Sequence, residues 1–256
     1  MRSRLHLQAA LLWAVTGVLP AQAAPDHVAL GDGEYAAFHA EAALRHYEAA
    51  IAADGRNADA LGKASRSAVD FAEGTTDAAR QAELFRLGEQ YARRATEVNP
   101  NDAELQFYVA RALGRLALSV GVRARVRFAV EIRERALAAL KLNPDHAGAL
   151  HVMGMWNAEV MRLNGVERFF AKNVLGGRTF GLANWKDAVS SLERAVQVDP
   201  TRLTHRLDLA LIYRDVGEKA KAVEQLGLVL AVTMQSDVND PLYKRQAEGA
   251  LQKLQR

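Results

Sequence analysis

The sequence predicts an all-α chain folded as a solenoid of antiparallel helix pairs, with an inserted segment and a C-terminal capping helix. Three Asn/Asp-Pro steps, Asn99-Pro100, Asn143-Pro144 and Asp199-Pro200, each close a helical segment. A small residue stands five positions before each proline (Ala95, Ala139, Ala195), with another packing position three further back (Ala92, Ala136, Leu192). Small side chains let helices approach closely, and proline ends a helix by removing a donor and clashing with the preceding turn. The second observation is spacing after Pro200. Leu209-Ala210, Tyr213, Gly217 and Ala222 fall where a helix–turn–helix repeat of about 34 residues places its packing and turn residues. The third is composition: 50% apolar, rich in alanine, only 6 prolines, and no alternating β-branched run of the kind a strand requires.

The elements follow in order. Residues 34–53 read as one long helix with Tyr35, Phe38, Ala42, Tyr47 and Ile51 along one side; Ala43, Tyr47, Ala50 and Gly55 repeat the pattern with glycine replacing proline. Residues 58–73 and 77–98 pair across Gly74-Thr75-Thr76, and 102–118 pairs with 122–142 through a turn near Gly121. A helix over 146–163 has its partner at 185–198, and 202–215 pairs with 218–233, where Ala222, Leu226 and Val229 give a fifth copy. Asp240-Pro241 starts the last helix, with Asp240 as N-cap and Pro241 in the first turn. Its apolar side, Tyr243, Ala247, Ala250, Leu251 and Leu254, covers the open end of the stack. The proline spacings, 44 and then 56 residues, exclude an ideal array. These are the marks of a divergent tetratricopeptide-type repeat domain.

Arg2 and Arg4, an apolar run over residues 7–19 and Ala21-Gln22-Ala23 describe a secretory signal peptide over residues 1–23, cleaved after Ala23. Residues 24–256 then form one domain, periplasmic or secreted, with no stable membrane insertion after cleavage. The run is shorter than the roughly 20 residues a spanning helix needs. The chain has no cysteine, which excludes thiol chemistry, disulfides and a lipid anchor on cysteine. Cleavage removes two of the charges that make up the net +3, so the high pI is no nucleic-acid footprint.

Between the helices of the third unit lies the most individual stretch. The Asn-Pro-x-His step from Asn143 to His146 leads into His151, Gly154 and Trp156. Glu167-Arg168, Phe169-Phe170 and Leu175-Gly176-Gly177 follow. On these residues, and more loosely through Pro200 to Asp240-Pro241-Leu242, the chain resembles the regulator of microtubule dynamics family, whose members carry a divergent tetratricopeptide-like domain. The resemblance covers roughly residues 85–255 and implies the fold, not the partner; with an export signal, the comparison is with exported bacterial-type relatives. Phe169, Phe170, Val174 and Leu175 read either as filler between helix pairs or as part of a lid with Phe180 as a second anchor. Trp156, beside Gly154, reads as core.

Catalytic patterns are lacking. Gly62-Lys63 has Asn57 where a phosphate loop needs glycine. No zinc-protease, Gly-x-Ser-x-Gly or calcium-loop pattern occurs, and His146 and His151, five apart, do not share a helical face. No cofactor, metal or catalytic residue is assigned, and the chain reads as a non-enzyme. Seven arginines between Arg111 and Arg135 read as a solvated face, with Arg127, Glu131 and Arg135 at ion-pair spacing; only Phe128 interrupts them, which excludes a nucleic-acid stacking platform. The expected function is a scaffold that holds a protein or peptide in its concave groove. The first helix of each pair places Phe107, Arg111, His151, Met155, Leu211 and Arg214 on that groove, with Phe169 and Phe170 modulating access. Arg111 and Arg214 are read there as solvent-facing cations. The alternative is a carrier of lipid or another small amphipathic ligand, with residues 165–184 as its lid.

Overall fold

The computed structural model describes residues 25–117, 122–164 and 179–255. Among them the helices come in pairs: α1 (His27–Ala36) with α2 (Ala40–Ala53), α3 (Ala58–Gly74) with α4 (Ala78–Val98), and α5 (Ala103–Ala117) with α6 (Val122–Leu142). Two more pairs follow, α7 (Ala147–Arg162) with α8 (Trp185–Val198), and α9 (Leu203–Asp215) with α10 (Lys219–Ala231). A 3₁₀ turn (Thr179–Leu182) precedes α8, and α11 (Asp240–Gln255) ends the stack. No strand occurs among the described residues. Each pair packs on the next, and α3, α5, α7 and α9 also touch one another in series. The first helices therefore line an inner wall and the second helices form the outer layer.

The repeat marks act as their chemistry requires. The carbonyls of Ala95, Ala139 and Ala195 accept the last helical hydrogen bonds from the amides of Asn99, Asn143 and Asp199, at 2.9, 2.8 and 2.9 Å. Ala50 does the same for Asp54 at 2.9 Å in the copy that lacks proline. The Asp54, Asn143 and Asp199 side chains then accept the amide two residues on, which turns the chain into the next helix. Asn57, Asp77 and Asn184 cap the helices that follow them, and Asp102 accepts the amides of Glu104 and Leu105. Ala92, Ala95, Ala136, Ala139, Leu192 and Ala195 are all fully buried. At Gly154 a Cβ would stand 2.7 Å from Leu192 Cγ and 3.1 Å from the Ala188 carbonyl oxygen, so glycine sets how closely α7 and α8 approach. Gly217 turns between α9 and α10 at φ +84°, a conformation glycine adopts without strain.

Two expectations are corrected. The long helix over 34–53 is two helices. Asp26 caps α1 by accepting from the amides of Val28 and Ala29, and the chain breaks at Phe38, which takes a left-handed φ of 64° without a glycine or proline to mark it. Asp240 is the first residue of α11 rather than its N-cap. Its carboxylate turns backward to accept from the amides of Ser236 and Asp237 at 2.7 and 3.0 Å, while the Tyr243 amide bonds the Asn239 carbonyl.

The apolar core runs as three successive clusters, the last made by Leu203, Leu207, Ala210, Leu226 and Val229 with Tyr243 and Ala247 of α11. The capping role expected of α11 rests on that cluster. Among the described residues no helix is long and apolar enough to cross a membrane. Residues 1–23, read from the sequence as a signal peptide, and residues 165–178 with Phe169, Phe170, Val174 and Leu175, lie outside the described residues.

Candidate functional site

The inner wall is built from α3 and α5 outward. Asp70 and Glu73, three residues apart on α3, point the same way, and Arg111 and Arg115, four apart on α5, meet them. Arg111 Nη2 donates to Asp70 Oδ1 at 2.5 Å and to Glu73 Oε1 at 3.0 Å, and Arg115 Nε lies 3.0 Å from Glu73 Oε1. From α1, the Tyr35 hydroxyl donates to Asp70 Oδ2 at 2.6 Å. The Asp70 and Glu73 side chains are buried, and that of Arg111 is only 18% exposed. Burial pulls the Asp70 carboxyl upward, but the charge of Arg111 and the Tyr35 hydroxyl outweigh it and hold the group below its ordinary value.

The C-terminal segment completes this cluster across the wall. Asn239 Nδ2 donates to the Asp70 carbonyl oxygen at 3.0 Å and the Tyr243 hydroxyl to Glu73 Oε2 at 2.6 Å, contacts that join residues 169 and 170 positions apart. Asp237 beside them is paired with Arg202, the residue that precedes α9. Burial and the nearby Asp70 charge raise the Asp237 carboxyl against the opposing pull of Arg202.

A second group lies between α7 and α9. His151 Nε2 is 3.2 Å from Asp208 Oδ2, and its Nδ1 is 2.9 Å from His205 Nδ1. One of the two Nδ1 atoms carries the proton of that bond and the other accepts it. Burial, then the charges of His151, Arg202 and Arg111, drive the His205 imidazole well below its ordinary value. Toward the N-terminal end, the Arg66 guanidinium sits 3.6 Å from the Tyr35 ring centroid.

The six described groove residues do not form one strip. Arg111 is on the wall, but as the centre of a buried ion cluster and not as the solvent-facing cation expected; two carboxylates already claim it. His151 is on the wall and bonded to α9. Phe107 is a wedge between α5 and α7: a Cβ on Gly148 would stand 2.5 Å from its ring, and the His146 ring lies 4.9 Å away. Met155 is part-buried against the second core cluster, and Leu211 is half-buried on α9. Arg214 is exposed as expected and bonds Asp215, which also takes Arg162.

Of the arginine run, Arg111 and Arg115 turn inward, so the solvated-face reading fails for those two. Glu131 is claimed in bidentate fashion by Arg93 of α4, at 2.6 and 2.8 Å, with Arg135 further off at 3.5 Å. Trp156 is core, 5% exposed, its Nε1 donating to the Ala129 carbonyl and its ring stacked on buried Phe180. Sequence reasoning missed Asp70, Glu73, Arg202, Asp237, Asn239 and Tyr243. One signal was there: Asp70 interrupts the apolar run Ala68-Val69-Asp70-Phe71-Ala72, where a charge needs a partner. Among the described residues no group of three or more His, Asp or Glu is arranged to hold a metal ion. The wall offers ion pairing and hydrogen bonding; no nucleophile–base pair is evident among its described residues.

Comparison with known proteins agrees with this architecture. The chain is 30% identical over 149 residues to regulator of microtubule dynamics protein 1 of Bos taurus, which covers 57% of this chain and 46% of that protein. It is 27% identical over 177 residues to protein 3 of the same organism, covering 69% and 37%. The chain thus spans less than half the length of these curated relatives. Among solved structures it is similar to a thermophilic tetratricopeptide-repeat protein of Thermus thermophilus, with a TM-score of 0.62 at 18% identity over 87% of this chain and 97% of that one. It is also similar to pilF of Pseudomonas aeruginosa, with a TM-score of 0.51 at 14% identity over 88% and 86%. These likenesses establish the fold. Residues 31–255 match the family described as regulator of microtubule dynamics protein 1-3, well beyond the span read from the sequence, and the chain belongs to that family.

Proposed function

We propose that this chain is a non-catalytic scaffold, exported from the cytoplasm, that holds a protein or peptide partner against its inner wall. The single observation behind this is the chemistry of the wall. Helices α3, α5, α7 and α9 present charged and hydrogen-bonding groups there, whereas a wall serving only as a packing seam would be apolar. Ion pairs and directed hydrogen bonds suit the backbone and side chains of a peptide better than an acyl chain, which favours this reading over the lipid carrier. Export is read from Arg2, Arg4, the apolar run and Ala21-Gln22-Ala23. N-terminal sequencing of the protein from its native host should start at Ala24; a chain starting at Met1 would replace export with membrane anchoring.

The partner reading is tested at Leu211 and Arg214, on the part of α9 that the ion cluster does not reach. Affinity capture from the envelope fraction should return one partner with the parent chain. Leu211→Glu and Arg214→Glu, each checked for unchanged helicity, should return at least fivefold less of it. Equal capture by parent and both variants would remove the inner wall as the binding face.

A further inference from the structure

We propose that residues 236–243 form a polar clasp: they hold the two ends of the solenoid together across the inner wall and open, without unfolding either end, to admit a partner. The argument begins with which forces act where. The Tyr243 ring is seated in the apolar cluster of α9, α10 and α11 together with Ala247, so α11 belongs to the C-terminal body. Arg202 ties Asp237 to that same body, and Asp240 folds the segment on itself through the amides of Ser236 and Asp237. What crosses to α3 is different in kind. The Asn239 amide reaches the Asp70 carbonyl and the Tyr243 hydroxyl reaches Glu73. Both are hydrogen bonds, and the α3 carboxylates keep their other partners when the crossing bonds are lost. The Asn239 bond ends on the backbone carbonyl of Asp70 and leaves its carboxylate with Tyr35 and Arg111, while Glu73 retains Arg111 and Arg115.

Opening therefore exposes little apolar surface and leaves no carboxylate without a cation. Hydrogen bonds exchanged for water or for a partner's groups lose only part of their strength, the charge-assisted Tyr243–Glu73 bond being the stronger of the two, while the apolar seat of α11 is untouched. Charges act across the junction in both senses: Asp70 repels Asp237 and Arg111 repels Arg202, while Arg202 attracts Asp70 and Arg111 attracts Asp237, so the ends are not locked by charges of one sense. The closed segment also lies where an extended peptide on the wall would run, so it is an internal occupant of the face to which the scaffold reading assigns the partner. That last step rests on the scaffold reading. The opening itself does not, and it is measured without any partner.

The absence of cysteine leaves a clean background for labelling. Spin labels at Arg80→Cys, on exposed α4 just past the end of α3, and at Arg245→Cys, on the exposed side of α11, report the distance across the clasp. Double electron–electron resonance on the full chain should show one narrow population. Adding Asn239→Ala and Tyr243→Phe should produce a second, longer population of at least a third of molecules, with helicity by circular dichroism unchanged. A single unshifted population in a fully helical double variant overturns the clasp, because α11 is then positioned by its apolar face alone. If the double variant loses helicity, Tyr243→Phe alone, which removes only the hydroxyl, must show the longer population; its absence there overturns the clasp equally.

Discussion

Arg111→Met tests the ion cluster most severely. The substitution keeps most of the side-chain volume and removes the guanidinium that Asp70 and Glu73 share, leaving two buried carboxylates with fewer partners. Removing one member of a buried pair costs about 3–5 kcal/mol. The lower end applies here, about 3 kcal/mol by the same principle, because Glu73 retains Arg115 and Tyr243 and Asp70 retains Tyr35. At about 2–4 °C per kcal/mol for a domain of this size, the melting temperature should fall by about 6–12 °C at pH 7.5.

The pH dependence carries a sign that a packing defect would not imitate. In the parent, Asp70 is held below its ordinary value, so its contribution is present at neutral pH and is lost as pH falls through that depressed value. Without Arg111 the burial of Asp70 goes unopposed by its main cation and the carboxyl moves upward, so acid relieves the variant while it weakens the parent. The gap in melting temperature, read by circular dichroism at pH 7.5 and 4.5, should therefore narrow in acid. Adding Asp70→Asn to Arg111→Met should recover part of the loss at pH 7.5. A loss of under about 0.5 kcal/mol at pH 7.5, the range of an ordinary surface change, or a gap independent of pH, would refute the cluster as drawn.

Other outcomes follow from named contacts. Ala195→Leu and Ala139→Leu should each cost about 1–3 kcal/mol in thermal melts, because both sites are fully buried at helix crossings; parent-like melting of both would mean that the repeat phase is wrong. His205, buried and held well below its ordinary value, stays neutral in the folded chain while the unfolded chain takes up a proton. Stability is thus present above about pH 6.5 and is lost as pH falls below it. His205→Gln should flatten that slope in melts between pH 7.5 and 5, and an unchanged slope would exclude His205 as its source. Arg214→Glu should leave stability within about 0.5 kcal/mol of the parent in urea titration, since the side chain is exposed; a larger loss would show that its bond to Asp215 matters to the fold.

The solenoid was legible because its punctuation is local. A small residue, a helical turn and Asn/Asp-Pro set each boundary within a few positions, and the structure uses each one as a helix end. The break between α1 and α2 was not legible, because Phe38 takes a left-handed conformation that its residue type does not announce. Asp240 was misjudged for a related reason: an Asp-Pro pair fits an N-cap by pattern, yet the carboxylate found its donors behind it, at Ser236 and Asp237. The site was legible only in outline. Helical phase placed Arg111 and His151 on the inner wall, but phase cannot tell a cation facing water from one facing a carboxylate 41 residues earlier in the chain. Asn239 and Tyr243, which reach back to α3 from the other end of the chain, depend on how far the superhelix curves, and no local pattern encodes that.

The central claim is that the inner wall is the partner surface, and site-specific photo-crosslinking in the native host tests it most directly. A photoreactive amino acid at Leu211 or Arg214 should give a discrete heavier species containing this chain and one partner. The same group at Leu137, exposed on α6 in the outer layer, should give none. Crosslinks from Leu137 with none from Leu211 or Arg214 would place the partner on the outer layer and contradict the account.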